Sequence, residues 1–471
     1  MSRRGFTRGQ KAVLLIMALA VVGVFGMLGY AVRTTIQWMN ATASPSPVAV
    51  SPLTTPVSPL PTATPIPSSP TPSPTPTRVV PLSQIQSARA VHEMSRIVAR
   101  VRQLPPVEQI PVTFPTEQEI AILLLQRYQQ ERPQEELRFY ATLGLIPLLD
   151  PLPLPDVGAQ AGHALSLYLP AGRQIMLVSR RGPATPDVER ALVYALAHAT
   201  LDRSFDTENL SPCQQTTDAA WALRAVVEGD AMLTTARYAG LSEDAEIQAL
   251  ARLAADALEP SYAPLQGDPL MERLRLFPYL DGMRWVAALY DRGEWSAVNR
   301  AYGRLPCSTE QVLHPERYLD EEPVEVVSLL DLGPVLGRGW SRVRQDTLGE
   351  LLLGLHLRAH LDDEQMAWQA ADGWAGDSLA LWENGSGQQV ILWRIAWDNR
   401  DEAEAFARVY GLMAPRFRTP PLLESEAPFD LPGRYWSGPA GAGYLVRAGR
   451  TVTVVWGPDA ETVTTIAQVL P

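Results

Sequence analysis

Residues 41–77 hold 12 prolines in 37 positions and carry no charge, and no other feature restricts the chain so strongly. Proline fixes φ and removes an N–H donor, so this stretch cannot build a helix, a sheet or a core. Its expected state is extended and polyproline-II-rich, reaching at most ~110 Å at ~3.1 Å per residue. Before it, Ala12 to Val32 gives 21 consecutive uncharged residues. At 1.5 Å of rise each they match a hydrocarbon core of ~30 Å. Arg3, Arg4, Arg8 and Lys11 precede the run and Arg33 follows it, which by the positive-inside rule places the N-terminus in the cytoplasm. The expectation is a cytoplasmic tail at 1–11, a single transmembrane helix at 12–32, a Pro/Ser/Thr-rich stalk at 33–79 and an extracytoplasmic body beyond, at the cell membrane. Ala41-Thr42-Ala43 resembles a signal-peptidase site, but the apolar run is longer than a usual h-region and ends well before it.

The remaining residues suffice for a large core. Five of the 40 basic residues precede residue 34 and no acidic one does, leaving 35 basic against 51 acidic in the rest of the chain. Such a surface repels nucleic acid and anionic lipid headgroups. The fold class expected is α+β and mainly helical. Ile85, Ala88, Val91, Ile97, Val101 and Leu104 repeat at helical spacing and stop at Pro105-Pro106. Helices are also expected from about Glu117, over 185–203, and from about Asp218 to Tyr238, Glu243 to Leu258, Asp268 to Asp291 and Thr347 to His360. "HALSLYLP" and "RQIMLVS" read as a hairpin around Ala171-Gly172. From Trp374 the period becomes 2 and a strand–turn–strand–helix pattern occurs twice, with Asn384-Gly385 and Gly449 at the turns. Asp398 or Asn399 would cap the first helix and Pro458 would open the second. The pattern predicts a helical domain over 80–365 and a (ββα)2 unit over 366–471, a four-stranded antiparallel sheet with helices on one face.

The chemistry centres on the helix opened by Thr185 and Pro186. An HExxH zinc peptidase places two histidines four residues apart on one helix face, with a glutamate after the first to deprotonate the metal-bound water. Here His198 stands at the second histidine position, but Tyr194 and Ala195 occupy those of the first ligand and the base. The loss of a base alone is typically worth 10²–10⁴ in rate. His92-Glu93 begins a similar pattern that fails at Arg96. His356 and His360 have i, i+4 spacing near Asp362 and Asp363, and read as helix-surface histidines. His314 is expected to orient a loop by a hydrogen bond. No GxSxG, Walker or dinucleotide motif occurs. Cys213 and Cys307 lie on the side where disulfides persist and are expected to pair; two unrelated buried thiols are the alternative.

The eroded helix motif, "AAWALRAVVEGDAMLTTARYAG", "FPYLDGMRWVAALYDRGEW" and "STEQVLHPERYL", in this order, resemble a group of bacterial membrane-anchored proteins similar to gluzincin zinc metallopeptidases. In those the helix reads HExxHALxD and is followed by EGDA. The resemblance covers roughly residues 90–471. It implies that His198 is the second metal ligand and Glu228 the third, vestigial here, with Asp202 and Asp230 as supporting acids beside Tyr194. The resulting expectation is a pseudo-metallopeptidase without catalytic residues or a bound cofactor, acting as a peptide- or protein-binding or sensing module. The alternative is an active metallohydrolase whose zinc is held by His198, Glu228 and a recruited Tyr194, His356 or His360. A purely structural envelope protein is a third reading.

Overall fold

A computed structural model describes residues 88–470 apart from 132, 148–156, 179–184 and 259–267. The expected tail, transmembrane helix and stalk lie outside the described residues, among which no helix is long and apolar enough to cross a membrane. The chain is α+β. Its helical part comprises α1 (Ala88–Arg102), α2 (Glu117–Glu131), α3 (Pro133–Thr142), α4 (Val157–His163), α5 (Pro186–Phe205), α6 (Thr217–Ala239), α7 (Asp244–Leu258) and α8 (Pro269–Ala301), followed by the short α9 (Thr309–Leu313), α10 (Pro315–Leu319) and α11 (Gly333–Leu336). Then come α12 (Gly349–His360), α13 (Glu364–Ala371), α14 (Arg400–Met413) and α15 (Ala460–Ala467).

A small sheet flanks the helices: β2 (Ser166–Leu169) and β3 (Gln174–Leu177) form the expected hairpin, and β1 (Val112–Thr113) adds parallel to β3. Helix α5 starts where its sequence requires. Thr185 Oγ1 accepts from the Val188 N–H, Pro186 occupies the first turn, and Asp187 and Glu189 face the positive helix end. Helices α5 and α6 show no apolar stripe, because neighbours cover them nearly all round and residues on every face are buried.

The second sheet departs from expectation. It has seven strands in the order β4-β5-β6-β10-β9-β8-β7, all antiparallel. The four expected strands, β5 (Trp374–Asn384), β6 (Gln389–Trp397), β9 (Gly441–Ala448) and β10 (Thr451–Gly457), are its centre; β4 (Trp340–Asp346), β7 (Leu423–Ser425) and β8 (Arg434–Gly438) extend the edges. Because β4 precedes residue 366, the sheet begins upstream of the boundary drawn from the sequence. Nor do the helices share a face. Leu379, Ile391, Trp393, Ile395, Val452, Val454 and Trp456 point to the side covered by Phe406 and Tyr410 of α14, whereas Ala380, Val390, Leu392, Tyr444 and Val455 point to the side covered by Val463 and Ile466 of α15. The cause is in the strands: runs such as "VILW" and "VTVVW" are apolar on both faces, and each face must be covered. The first of these faces joins a core that runs without a break from Val91 of α1 to Trp456 of β10.

Local details correct two further expectations. In the β5–β6 hairpin the left-handed residue is Gly387, with φ +77°, and Asn384 Oδ1 accepts from Ser386 and Gln388 N–H groups. Asn399 caps α14 as expected, but α15 is capped by Asp459, so Pro458 stands just outside it.

Candidate functional site

Helix α6 crosses α8 so closely that a Cβ added at Gly229 would meet the Gly282 carbonyl carbon at 2.2 Å, and one at Gly282 would meet the Ala225 oxygen at 2.2 Å. Only glycine admits this approach. Successive residues of a helix point about 100° apart, so Gly229 facing α8 turns its neighbours in two different directions. Glu228 faces α5 and Asp230 faces α1.

At Glu228 the eroded motif converges. The Tyr194 hydroxyl makes a short hydrogen bond to Glu228 Oε2, and His198 Nε2 lies 3.1 Å from the same oxygen. The rings of Tyr194 and His198 meet edge-to-face at 4.8 Å, and the His198 and Glu228 side chains are each 13% exposed. Burial alone would raise the Glu228 pKa, but the His198 charge and hydrogen bond, Arg224 and the Tyr194 hydroxyl outweigh it and hold the carboxyl at about 2. Tyr194 moves the other way: burial first, then the Glu228 charge, drive its phenol well above the ordinary value. Near neutrality the group is thus an ionised carboxylate receiving a phenol proton. A carboxylate held this acidic is a weak base, and a phenol held this basic resists becoming a phenolate ligand. Ala195, at the base position, is 2% exposed and offers no polar group.

The two supporting acids serve elsewhere. Asp230, with no exposed surface, receives Arg102 Nε and Nη2 at 2.6 and 2.8 Å and the Tyr302 hydroxyl at 2.9 Å, while the Arg102 guanidinium lies 4.2 Å from the Trp295 ring. It ties α1 to α6 and α8. Asp202 takes the Tyr168 hydroxyl at 2.8 Å, Thr207 Oγ1 at 3.2 Å and Arg173 Nε at 3.4 Å, fastening the β2–β3 hairpin to the end of α5. Both carboxylates are accounted for by packing, and neither contacts His198.

The alternative ligands also lie elsewhere. His356 is buried, with Nδ1 2.7 Å from the Leu143 carbonyl and Nε2 3.3 Å from the Tyr410 hydroxyl. Its ring and that of His360 both pack on Phe417. Burial pushes them down to about 3 and about 4, so both are neutral, His356 in the core and His360 half-buried beside it, and neither is the surface histidine expected. His92 is half-buried on α1, where its neighbour Glu93 pairs with Arg89.

The expected disulfide is present: Cys213 and Cys307 are bonded, with Cα atoms 5.4 Å apart. It joins the segments leading into α6 and α9. The same segments meet through Asp218 Oδ1, which accepts from Thr309 N at 2.8 Å and Thr309 Oγ1 at 2.6 Å. Downstream, His314 makes the anticipated hydrogen bond, to Glu350 at 3.0 Å. The sequence reading missed the acids that gather here: Asp218, Glu310, Glu350 and Asp377, all buried. One signal was visible, the lone acid of "Gly349-Glu350-Leu351-Leu352-Leu353", since a charge inside an apolar helical run is a buried charge.

Beside α5, the segment Pro105–Ile110 walls a cleft of about 570 Å³, completed by Tyr168, Arg173, Ala199, Asp202 and Arg203. Ala199 directly follows His198.

No curated protein and no solved structure matches the chain. Residues 336–467 match the model of a family described as a domain of unknown function, DUF8575. The matched residues run from just before β4 to the end of α15 and so take in this chain's seven-stranded sheet and α12 to α15, while the Tyr194–His198–Glu228 cluster lies outside them.

Proposed function

We propose that this chain is a membrane-anchored, extracytoplasmic relative of gluzincin-like metallopeptidases that has exchanged its hydrolytic centre for a hydrogen-bonded cluster and binds a peptide or protein segment. The observation that carries this reading is the double use of Glu228 Oε2. The oxygen that would face a metal instead accepts from Tyr194 and faces His198. Ala195 supplies no base. The residues present do not suit catalytic zinc, which takes three protein ligands and an open position: only His198 and Glu228 belong to the expected ligand set, and the third neighbour is a phenol held in its neutral form. The cleft along α5 gives the ligand a place, with Arg173, Arg203 and Glu108 to hydrogen-bond a peptide backbone and the Pro105-Pro106 segment as an apolar wall.

The test uses the purified full chain, assayed for hydrolysis of a mixed peptide library and for zinc retained after dialysis. The expected result is no cleavage and no zinc that depends on His198. Peptide cleavage abolished by Glu228→Gln, or one zinc per chain lost in His198→Ala, overturns the proposal.

A further inference from the structure

A second histidine–carboxylate cluster lies in a different part of the fold. His314 sits between α9 and α10, Glu350 in the first turn of α12, and Asp372 just after α13. Among the described residues, these are the one group of three histidine, cysteine or acidic side chains whose ligand atoms all lie within 4.8 Å of one another. His314 Nε2 stands 3.0 Å from Glu350 Oε1 and 3.9 Å from Asp372 Oδ1. They line a cleft of about 360 Å³ whose walls include Leu313, Trp368 and Arg273.

We infer that His314, Glu350 and Asp372 bind a divalent transition-metal cation, of which Zn²⁺ is the best fit. The first support is geometric. Ligand atoms at 2.0–2.2 Å from a tetrahedral zinc are roughly 3.3–3.6 Å apart, and the two distances from His314 Nε2 bracket that range. Glu350 and Asp372 offer ligand atoms within 4.8 Å of each other, and movement of the exposed Asp372 side chain closes the shell. The second support is Glu350 itself. It is 3% exposed, it lines the cleft, and its Oε2 has no hydrogen-bond partner. A buried carboxylate whose second oxygen has no donor is costly, and a cation held at Oε1 would offset that charge. The nearest positive side chains are engaged with other acids: Arg273 binds Asp281 at 2.6 Å, and Arg317 reaches Glu310, Glu322 and Asp398 at 2.8–3.0 Å while passing 3.8 Å from Asp372. One imidazole and two carboxylates match borderline ions such as Zn²⁺ and supply too few oxygens for Ca²⁺. Three protein ligands facing an open cleft leave the fourth position to water.

This site does not rest on the reading of the His198 cluster, and its test separates the two. The full chain is stripped with a chelator and titrated calorimetrically with Zn²⁺ alone. The expected result is one saturable equivalent, weakened at least tenfold in both His314→Ala and Asp372→Asn and unchanged in His198→Ala. Asp372 is 61% exposed, so its amide variant reports on binding even where His314→Ala perturbs folding. A plain ion pair between His314 and Glu350, or adventitious surface zinc, predicts no saturable binding or binding that both variants leave intact, and either result overturns the inference.

Discussion

Removing the Asp230 carboxylate strands a guanidinium that has no exposed surface, and the consequence can be sized. Arg102 and Asp230 exchange two charge-assisted hydrogen bonds inside the core, with Tyr302 and Thr234 on the same carboxylate and Asn299 on the same guanidinium. Breaking such a pair from one side leaves an uncompensated buried charge and typically costs about 3–5 kcal/mol. Unfolding entropy of about 2.1 cal/mol/K per residue over residues 88–470 converts this to a fall in Tm of about 4–6 °C. Asp230→Ala in the full chain, followed by near- and far-UV circular dichroism on heating, should show that fall. Replacing both partners, Arg102→Met with Asp230→Leu, should recover at least half of it, because paired removal of buried charges is often close to neutral. The remainder belongs to Tyr302 and Asn299, left without their ionic partners. A shift below about 1 °C in Asp230→Ala, or a double variant no better than the single one, would refute the assignment of Asp230 to the core and return it to the functional site.

Three further outcomes follow from the same packing. Gly229→Ala places a methyl 2.2 Å from the Gly282 backbone and should cost about 1–3 kcal/mol by overpacking, read as a lower urea midpoint at unchanged m-value. Burial pushes Asp218 up to about 8 against the Thr309 hydrogen bonds, with Asp377 and Glu350 adding to the rise. Between the unfolded value near 4 and that folded value the native state holds the extra proton, so stability falls as pH rises, by about 1.4 kcal/mol per unit for this one group. Asp218→Asn keeps an acceptor for Thr309 and cannot ionise; it should flatten the loss between pH 5 and 7, and an unchanged slope in urea titrations would count against the buried acid. Reduction of Cys213–Cys307, 94 residues apart, should lower stability by about 4–5 kcal/mol in the chain-entropy model, checked by urea unfolding with and without reductant.

Much of the fold was legible because local signals were strong. Thr185-Pro186 opens α5, Asn399 caps α14, and the central strands β5, β6, β9 and β10 all fall within the two strand–turn–strand segments read from the sequence. The edge strands were not visible. β7 is three exposed residues and β4 is largely exposed, so neither carries an apolar pattern, and both exist because neighbouring strands offer unpaired backbone. The opposite placement of α14 and α15 escaped because two-sided burial erases the alternation that assigns a face. At the site, i, i+4 spacing puts Tyr194 and His198 on one face of α5, and Glu228, named through the resemblance, meets both. The roles of Asp202 and Asp230 failed for the converse reason: adjacency in sequence says nothing about which neighbouring helix a side chain meets. His314 was noticed, but Glu350 and Asp372 join it only through the packing of α9, α12 and α13.

The central claim is that Tyr194, His198 and Glu228 form a hydrogen-bonded cluster and not a metal centre. Zinc titration of the His314→Ala chain, in which the second cleft no longer contributes, tests it most directly. The account predicts no zinc binding that depends on His198: any residual binding is the same with and without His198→Ala. One tightly bound zinc that disappears when His198→Ala is added would contradict it.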